Sequence, residues 1–354
     1  MEVVRVGRYS IPCGSTAWTV GAKPHIVSEQ KALSNSDRFR QLIATAGPTS
    51  FGSEAALVEA GATTIRLNAS HLAPDDVFDH LQRILAISPA VCCVVDLQGA
   101  KMRLSHLEPR SVRAGDSVRF SCDPEVRDAL YVPHLELFAQ VAPGEALSVD
   151  DGKLILRVTE RSETTLSALS ERDYVIRPRK GINCSSHPVD LADLGAGDRA
   201  VLDLCRDLSR VSYAVSFATD GRETAWVKKR IPRAKVTLKV ERREALAALQ
   251  ELARSADDLW ICRGDLGAQL GHLNLGHAVA AIDPQAYGVP LLMAGQVLEH
   301  LTCHEEPTRS EICHVHDLLS RGYAGIVLSD ETALGVSPPN ATRWARRLLS
   351  DASA

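Results

Sequence analysis

Eight short apolar runs recur from Gln41 to the end of the chain, and most are separated by stretches of helical periodicity. They are Gln41–Ala46, Thr63–Asn68, Val91–Leu97, Ser212–Phe217, Lys235–Val240, Asp258–Cys262, Pro290–Ala294 and Ile326–Ser329. The amphipathic segments between them are Ser53–Ala60, Pro74–Ala86, Asp198–Leu208, Arg222–Lys229, Arg242–Arg254, Thr308–Leu319 and Pro339–Leu349. Apolar strands joined by helical crossovers predict a parallel sheet covered on both faces. Eight such units are the number that closes a ring, so the expected fold is α/β, a (β/α)8 TIM barrel. An open, doubly wound sheet is the alternative. Its G-x-G-x-x-G fingerprint is missing, because Gly47-Pro48-Thr49-Ser50-Phe51-Gly52 does not fit it.

One stretch breaks the rhythm. Residues 101–180 alternate apolar with polar, as in Leu154-Ile155-Leu156-Arg157-Val158, and carry turn signals such as Ala114-Gly115-Asp116. They read as a small antiparallel β domain inserted after the third strand. Insertions at that end of a barrel often form lids. The expected organisation is therefore an N-terminal extension (1–40, with a short helix around Ser28 to Leu33), a barrel (41–100 and 181–354) and a lid (101–180).

Net charge is 40 − 44 = −4 over 354 residues. That balance offers no broad basic field for nucleic acid or an anionic membrane. No apolar run approaches the ~18 residues of a membrane span, and the start has no signal-peptide core. Nine cysteines with no C-x-x-C pair suggest reduced, mostly buried thiols and a cytoplasmic location. Packing is their expected role.

Side chains two apart on a strand share a face. Arg66, Asn68 and Ser70 therefore point together if their strand persists that far. The trio suits a phosphate and a cation. It equally suits a structural salt bridge with a turn cap. Lys239 and Glu241 share a face of strand five, and Asp265 follows strand six. Adjacent strands lie ~4.8 Å apart, so Glu241 and Asp265 can grip one cation such as Mg²⁺. Lys239 beside it can stabilise charge on a phosphoryl group or an enolate. The competing reading is a plain Lys239–Glu241 ion pair, a costly arrangement for little stability inside a barrel. Gly264 and Gly267 let backbone N–H groups approach an anion. Arg263-Gly264-Asp265 follows the apolar run Leu259-Trp260-Ile261-Cys262, which places it at a buried strand end rather than in an exposed adhesion loop.

Together these residues resemble the pyruvate kinase family. The resemblance runs in order through Ala44-Thr45-Ala46-Gly47-Pro48-Thr49-Ser50, Arg66-Leu67-Asn68-Ala69-Ser70-His71, Asp96-Leu97-Gln98-Gly99 and Asp150-Asp151-Gly152. It continues through Lys180-Gly181-Ile182-Asn183, Lys239-Val240-Glu241, Arg263-Gly264-Asp265-Leu266-Gly267, Pro307-Thr308-Arg309-Ser310-Glu311 and Leu328-Ser329-Asp330-Glu331-Thr332-Ala333. The resemblance implies phosphoenolpyruvate or pyruvate at the barrel mouth and Mg²⁺ (or Mn²⁺) on Glu241 and Asp265. It assigns catalytic roles to Lys239, Arg66 and Arg103. Gly264, Asp265, Gly295, Ser329 and Glu331 fall to substrate, and His71 and Lys180 to the ADP/ATP nucleotide. Asn68, Ser70 and Asp96 match a monovalent-cation site.

Three departures carry information. Lys101 stands where K⁺-dependent members are acidic, so its ammonium is expected to replace the ion and K⁺ is not expected to be required. Gly295 replaces a threonine near the face where the enolate is protonated. The chain ends after the last barrel helix, so the family's C-terminal effector domain is expected to be absent. The expected function is a Mg²⁺-dependent phosphotransferase between an enol phosphate and ADP or another acceptor. The alternatives are a Mg²⁺-dependent 2-oxo acid lyase, a decarboxylase or aldolase, and a non-catalytic regulatory paralogue. The expected partners are small molecules, not nucleic acid or membrane, with a homo-oligomer possible.

Overall fold

The computed structural model describes residues 40–105, 108–150 and 152–351. The expected N-terminal helix around Ser28 to Leu33 and Asp151 lie outside the described residues. Eight parallel strands close a barrel: β1 (Gln41–Ala46), β2 (Thr64–Asn68), β3 (Cys92–Leu97), β4 (Val211–Val215), β5 (Val236–Val240), β6 (Asp258–Cys262), β7 (Leu291–Ala294) and β8 (Gly325–Leu328). Each pairs with its chain neighbour, and β1 pairs with β8 to complete the ring. The expected (β/α)8 barrel is therefore borne out, with strand ends within two residues of the sequence reading.

Alternation along each strand divides the core in two. Ile65 and Leu67, or Leu238 and Val240, pack outward against the helices. Ile43, Val94, Ala214, Trp260, Leu292 and Val327 fill the interior. Fully burying one such aliphatic side chain contributes roughly 1.5–3 kcal/mol. The ring closes tightly at Gly325, where an added Cβ would lie 2.1 Å from the Gln41 carbonyl oxygen. Glycine permits that approach of β8 to β1.

The crossovers follow local signals. Arg309–Ser320 opens with a capping box, in which the Thr308 side chain accepts from the Glu311 N–H and Glu311 reaches back to the Thr308 backbone. The single helix expected over Arg242–Arg254 is instead two, Arg243–Ala247 and Leu249–Ser255, broken at Ala248. Between β6 and β7 two helices lack a counterpart in the sequence pattern: Arg263–Leu270 and His272–Ala281, separated by Gly271 at φ 76°. Gly264, Gly267, Gly271 and Gly276 weaken the propensity signal there.

Between β3 and β4 the chain forms a six-stranded sheet. Its order is Ile182–Cys184, Ala146–Val149, Leu154–Arg161, Thr165–Ser170, Ser117–Ser121 and Leu130–Tyr131. The pairs are antiparallel except the last, which is parallel. The sheet extends past residue 180, since Ile182–Cys184 is its edge strand. Among the described cysteines Cys93, Cys184, Cys205 and Cys262 are buried, whereas Cys92, Cys303 and Cys313 are exposed. Among the described residues, no helix is long and apolar enough to cross a membrane.

Candidate active site

At the C-terminal mouth of the barrel, inward-facing side chains from β2, β3 and β5 converge on Asp96. Arg66 donates from Nε and Nη2 to Asp96 Oδ2 at 2.9 and 2.5 Å, and from Nη1 to Thr45 Oγ1 at 2.8 Å. Lys239 Nζ donates to Asp96 Oδ2 and to Ser216 Oγ, both at 3.0 Å, and lies 2.9 Å from Glu241 Oε1. Ser216 Oγ in turn donates to Asp96 Oδ1 at 3.0 Å, and the Phe217 N–H donates to Glu241 Oε2 at 2.8 Å. Asp96 and Glu241 are each only 2% exposed. Buried charges at this density require pairing, and every one here has it.

The proton affinities follow from those contacts. Burial pushes the Asp96 carboxyl up, but Lys239 and Arg66 outweigh it and hold the group below its ordinary range. Burial pushes Lys239 down, and Asp96 and Glu241 more than reverse this, so its ammonium stays charged. Glu241 goes the other way. Burial raises it, Lys239 only partly compensates, and the nearby charge of Asp265 raises it further.

Glu241 and Asp265 line a common cavity of about 180 Å³ with Arg66, Lys239, Gly264 and Gly295. Two carboxylates facing one cavity are a donor set that fits a hard divalent cation. Lysines hold both at present, since Lys101 Nζ donates to Asp265 Oδ1 at 3.0 Å. A carboxylate has about four lone-pair sites, so a lysine contact leaves room for a metal ligand bond. The cavity floor is Trp260, and the wall beside Gly264 and Asp265 is the first turn of the helix Arg263–Leu270. Its leading N–H groups have no partner within the helix and suit an anion.

Other expected site residues sit differently. β2 ends at Asn68, whose Oδ1 accepts from the Ser70 N–H at 3.1 Å and caps the 3-10 turn Ala69–His71. Ser70 therefore does not continue the strand face, which corrects the expectation that Arg66, Asn68 and Ser70 point together. Both structural alternatives read from the sequence, the Arg66 salt bridge and the Lys239–Glu241 ion pair, occur alongside the cavity. Asp96, expected with the monovalent-cation group, is the shared acceptor of Arg66 and Lys239. The Lys101 ammonium packs on the Phe217 ring at 4.4 Å as well as on Asp265.

Ser329 lines the cavity, but Glu331 does not. Glu331 is 0% exposed and accepts from the Leu298 and Ser329 N–H groups at 3.0 and 2.7 Å, so it ties the β7 and β8 loops together instead of touching substrate. Gly295 is at φ 78°. Arg263 braces it by donating from Nε to its carbonyl at 3.0 Å, with further contacts to the Gln296 carbonyl and His314.

Arg103, His71 and Lys180 lie outside the cavity at the lid junction. Arg103 Nη1 donates to the Arg179 carbonyl at 3.0 Å, and Arg179 Nη2 to the Ser70 carbonyl at 2.8 Å. Burial and then the charges of Arg103, Arg179 and Arg66 lower the His71 imidazole, which marks a basic rim. Lys180 is 2.9 Å from Asp150 Oδ1. The sequence reading missed Ser216, Phe217 and Arg179. Ser216 is two positions beyond the inward-facing Ala214, so the same-face rule applied to the end of strand four would have found it.

The chain matches the family model described as pyruvate kinase, barrel domain, over residues 38–342. It is 31% identical over 324 residues to a pyruvate kinase of Methylorubrum extorquens, covering 88% of this chain and 68% of that protein. It is 27% identical over 299 residues to one of Pyrobaculum aerophilum, covering 80% of this chain and 65% of that protein. Crystal structures of pyruvate kinases from Cryptosporidium parvum and Pyrobaculum aerophilum superpose with TM-scores of 0.74 and 0.71, each at 25% identity. The first match covers 90% of this chain and 70% of that one, the second 88% and 73%.

Proposed function

The chain belongs to the pyruvate kinase family, and on that premise we propose that it moves a phosphoryl group between phosphoenolpyruvate, or a related enol phosphate, and ADP. The observation that carries this reading is the convergence of Arg66, Lys239, Glu241 and Asp265 on one cavity. Glu241 and Asp265 would hold Mg²⁺, which supplies charge neutralisation for the phosphoryl oxygens. The groups Arg66, Lys239 and Lys101 balance Asp96, Glu241 and Asp265, 3 − 3 = 0. A divalent cation therefore leaves the mouth positive and suited to a polyanionic substrate.

Lys239 has three N–H donors, and Asp96, Ser216 and Glu241 take them. To reach a phosphoryl oxygen it must give one up. The Glu241 contact is the one that loosens once that carboxylate's charge is engaged elsewhere, so Lys239 swings from carboxylate to phosphoryl group. Asp96 and Ser216 keep it charged and aimed during the swing. Three of the five Arg66 N–H donors serve Asp96 and Thr45, which leaves two for the substrate. The N–H groups at Gly264 and Asp265 would cradle the substrate carboxylate. Together these contacts align donor and acceptor and neutralise charge, which is where phosphoryl transfer gains its rate. The acceptor side is the basic rim of His71, Arg103, Arg179 and Lys180.

A lyase acting through a pyruvate enolate is the second reading, and Gly295 favours it. Its missing side chain leaves space beside Gly264, where the nearest atom to an added Cβ is 3.4 Å away. The test is ³¹P NMR of the protein with phosphoenolpyruvate and Mg²⁺, with and without ADP. ATP formed only when ADP is present supports phosphotransfer. No turnover with ADP, together with pyruvate release from oxaloacetate without nucleotide, replaces it with the lyase.

A further inference from the structure

Cys184 and His187 stand three residues apart where the chain leaves the lid sheet, and Glu145 directly precedes the strand paired to that exit. The backbone is closed at this point, with the Ser185 N–H donating to the Ala146 carbonyl at 2.8 Å. The Cys184 sulfur, a His187 ring nitrogen and a Glu145 carboxylate oxygen all lie within 4.8 Å of one another. Ser186 Oγ contacts both Cys184 Sγ, at 3.2 Å, and Glu145 Oε1. Cys184 and His187 also line a second cavity of about 420 Å³ between the lid and the barrel mouth.

The orientation of His187 points to a ligand. Its Nδ1 lies 2.8 Å from the Pro188 carbonyl. A carbonyl only accepts, so Nδ1 carries the proton. In the neutral ring Nε2 then presents a lone pair, and it faces Glu145 Oε2 at 3.4 Å. Two acceptors so placed need a cation or an extra proton between them. An imidazole fixed through one nitrogen by a backbone carbonyl is how metal-bound histidines are held.

We propose that Glu145, Cys184 and His187 form a three-ligand site for a transition-metal ion of the Zn²⁺ class. Its fourth position opens toward the 420 Å³ cavity. Sulfur and imidazole donors select against Mg²⁺, which takes oxygen. Ligand bonds of ~2.0–2.3 Å around tetrahedral zinc put donors roughly 3.4 Å apart. The histidine–glutamate spacing already meets that, and the Cys184 sulfur lies within 4.8 Å of both. This site is separate from Glu241 and Asp265 and does not depend on the proposed reaction.

The test is titration of the metal-stripped full chain with Co²⁺ in excess Mg²⁺, which occupies the barrel carboxylates. The expected result is one Co²⁺ per chain with thiolate-to-metal charge-transfer absorption, reversed by Zn²⁺. Cys184→Ser should abolish that absorption, and His187→Gln and Glu145→Gln should each weaken Co²⁺ binding at least about tenfold. Cys262→Ser, at the barrel mouth, should leave both unchanged. Absence of the absorption in the wild type, its survival in Cys184→Ser, or its loss in Cys262→Ser would overturn the proposal. If Cys184→Ser does not fold, unchanged Co²⁺ affinity in both of the other ligand variants overturns it equally.

Discussion

Removing the ammonium of Lys239 tests the site most directly, because it sits between two buried carboxylates. Lys239→Ala leaves Asp96 with Arg66, but leaves Glu241 with only the Phe217 N–H as a described hydrogen-bond donor. Breaking a buried pair from one side costs about 3–5 kcal/mol. The same variant loses a donor aimed at the transferring group, worth about 10²–10³ in kcat. The stability loss has a definite pH dependence. Burial and Asp265 already hold Glu241 above the ordinary carboxylate range, and Lys239 opposes them. In the variant the folded value rises further above the unfolded one, so the folded state binds the extra proton. The destabilisation is complete at high pH and shrinks as pH falls through that folded value. Urea unfolding at pH 8 and pH 5.5, with pyruvate formation coupled to NADH oxidation, measures both effects. Stability within about 1 kcal/mol of wild type at pH 8 contradicts the pairing argument. Turnover within about tenfold of wild type contradicts the role of Lys239 in transfer.

Turnover in Na⁺ or tetramethylammonium buffer should match that in K⁺, while Mg²⁺ chelation should abolish it; a strict K⁺ requirement in the rate titration refutes the reading of Lys101. Lys101→Glu should break the contact with Asp265 and place a second carboxylate beside it, so Mg²⁺ should bind more tightly in calorimetry; weaker binding contradicts the charge balance. Gly295→Thr should not enhance pyruvate formation, because φ 78° disfavours a β-branched residue by about 1–3 kcal/mol; a kcat above wild type with no loss in Tm would show that the loop accommodates it. Asp198 accepts from the Gln98 and Gly99 N–H groups, and burial lifts it from 3.8 to about 6. The folded state then holds a proton between those values that the unfolded chain has lost, so its stability falls as pH rises from 4 to 6. Relative to Asp198→Asn, the wild type should gain about 1–3 kcal/mol between pH 7 and pH 5 in denaturant titrations; an equal pH response in the two proteins rules this out.

Much of the site was legible because strand alternation is a local property. Arg66, Lys239 and Glu241 face inward on the i, i+2 rule, and Gly264 and Asp265 follow an apolar run. The rule failed at Ser70, where the Asn68 side chain caps a turn and ends the strand. It was silent on Glu331, which the family resemblance assigned to substrate but whose oxygens are taken by two backbone N–H groups. The helix Arg263–Leu270 was hidden by its glycines, although its first turn forms a wall of the cavity.

By itself the sequence determined the eight-stranded barrel, since the apolar period and the buried faces it demands are set within a few residues of chain. Only the tertiary structure decided which charge meets which. Asp96 lies 30 positions from Arg66 and 143 from Lys239, and barrel closure and strand register bring the three together. Glu145, Cys184 and His187 are likewise joined across 42 residues by the lid pairing. At the barrel mouth the balance of burial against pairing, rather than residue type, then sets each group's charge. That is why burial and Asp265 push the Glu241 carboxyl up while Lys239 and Arg66 hold Asp96 down in the same site.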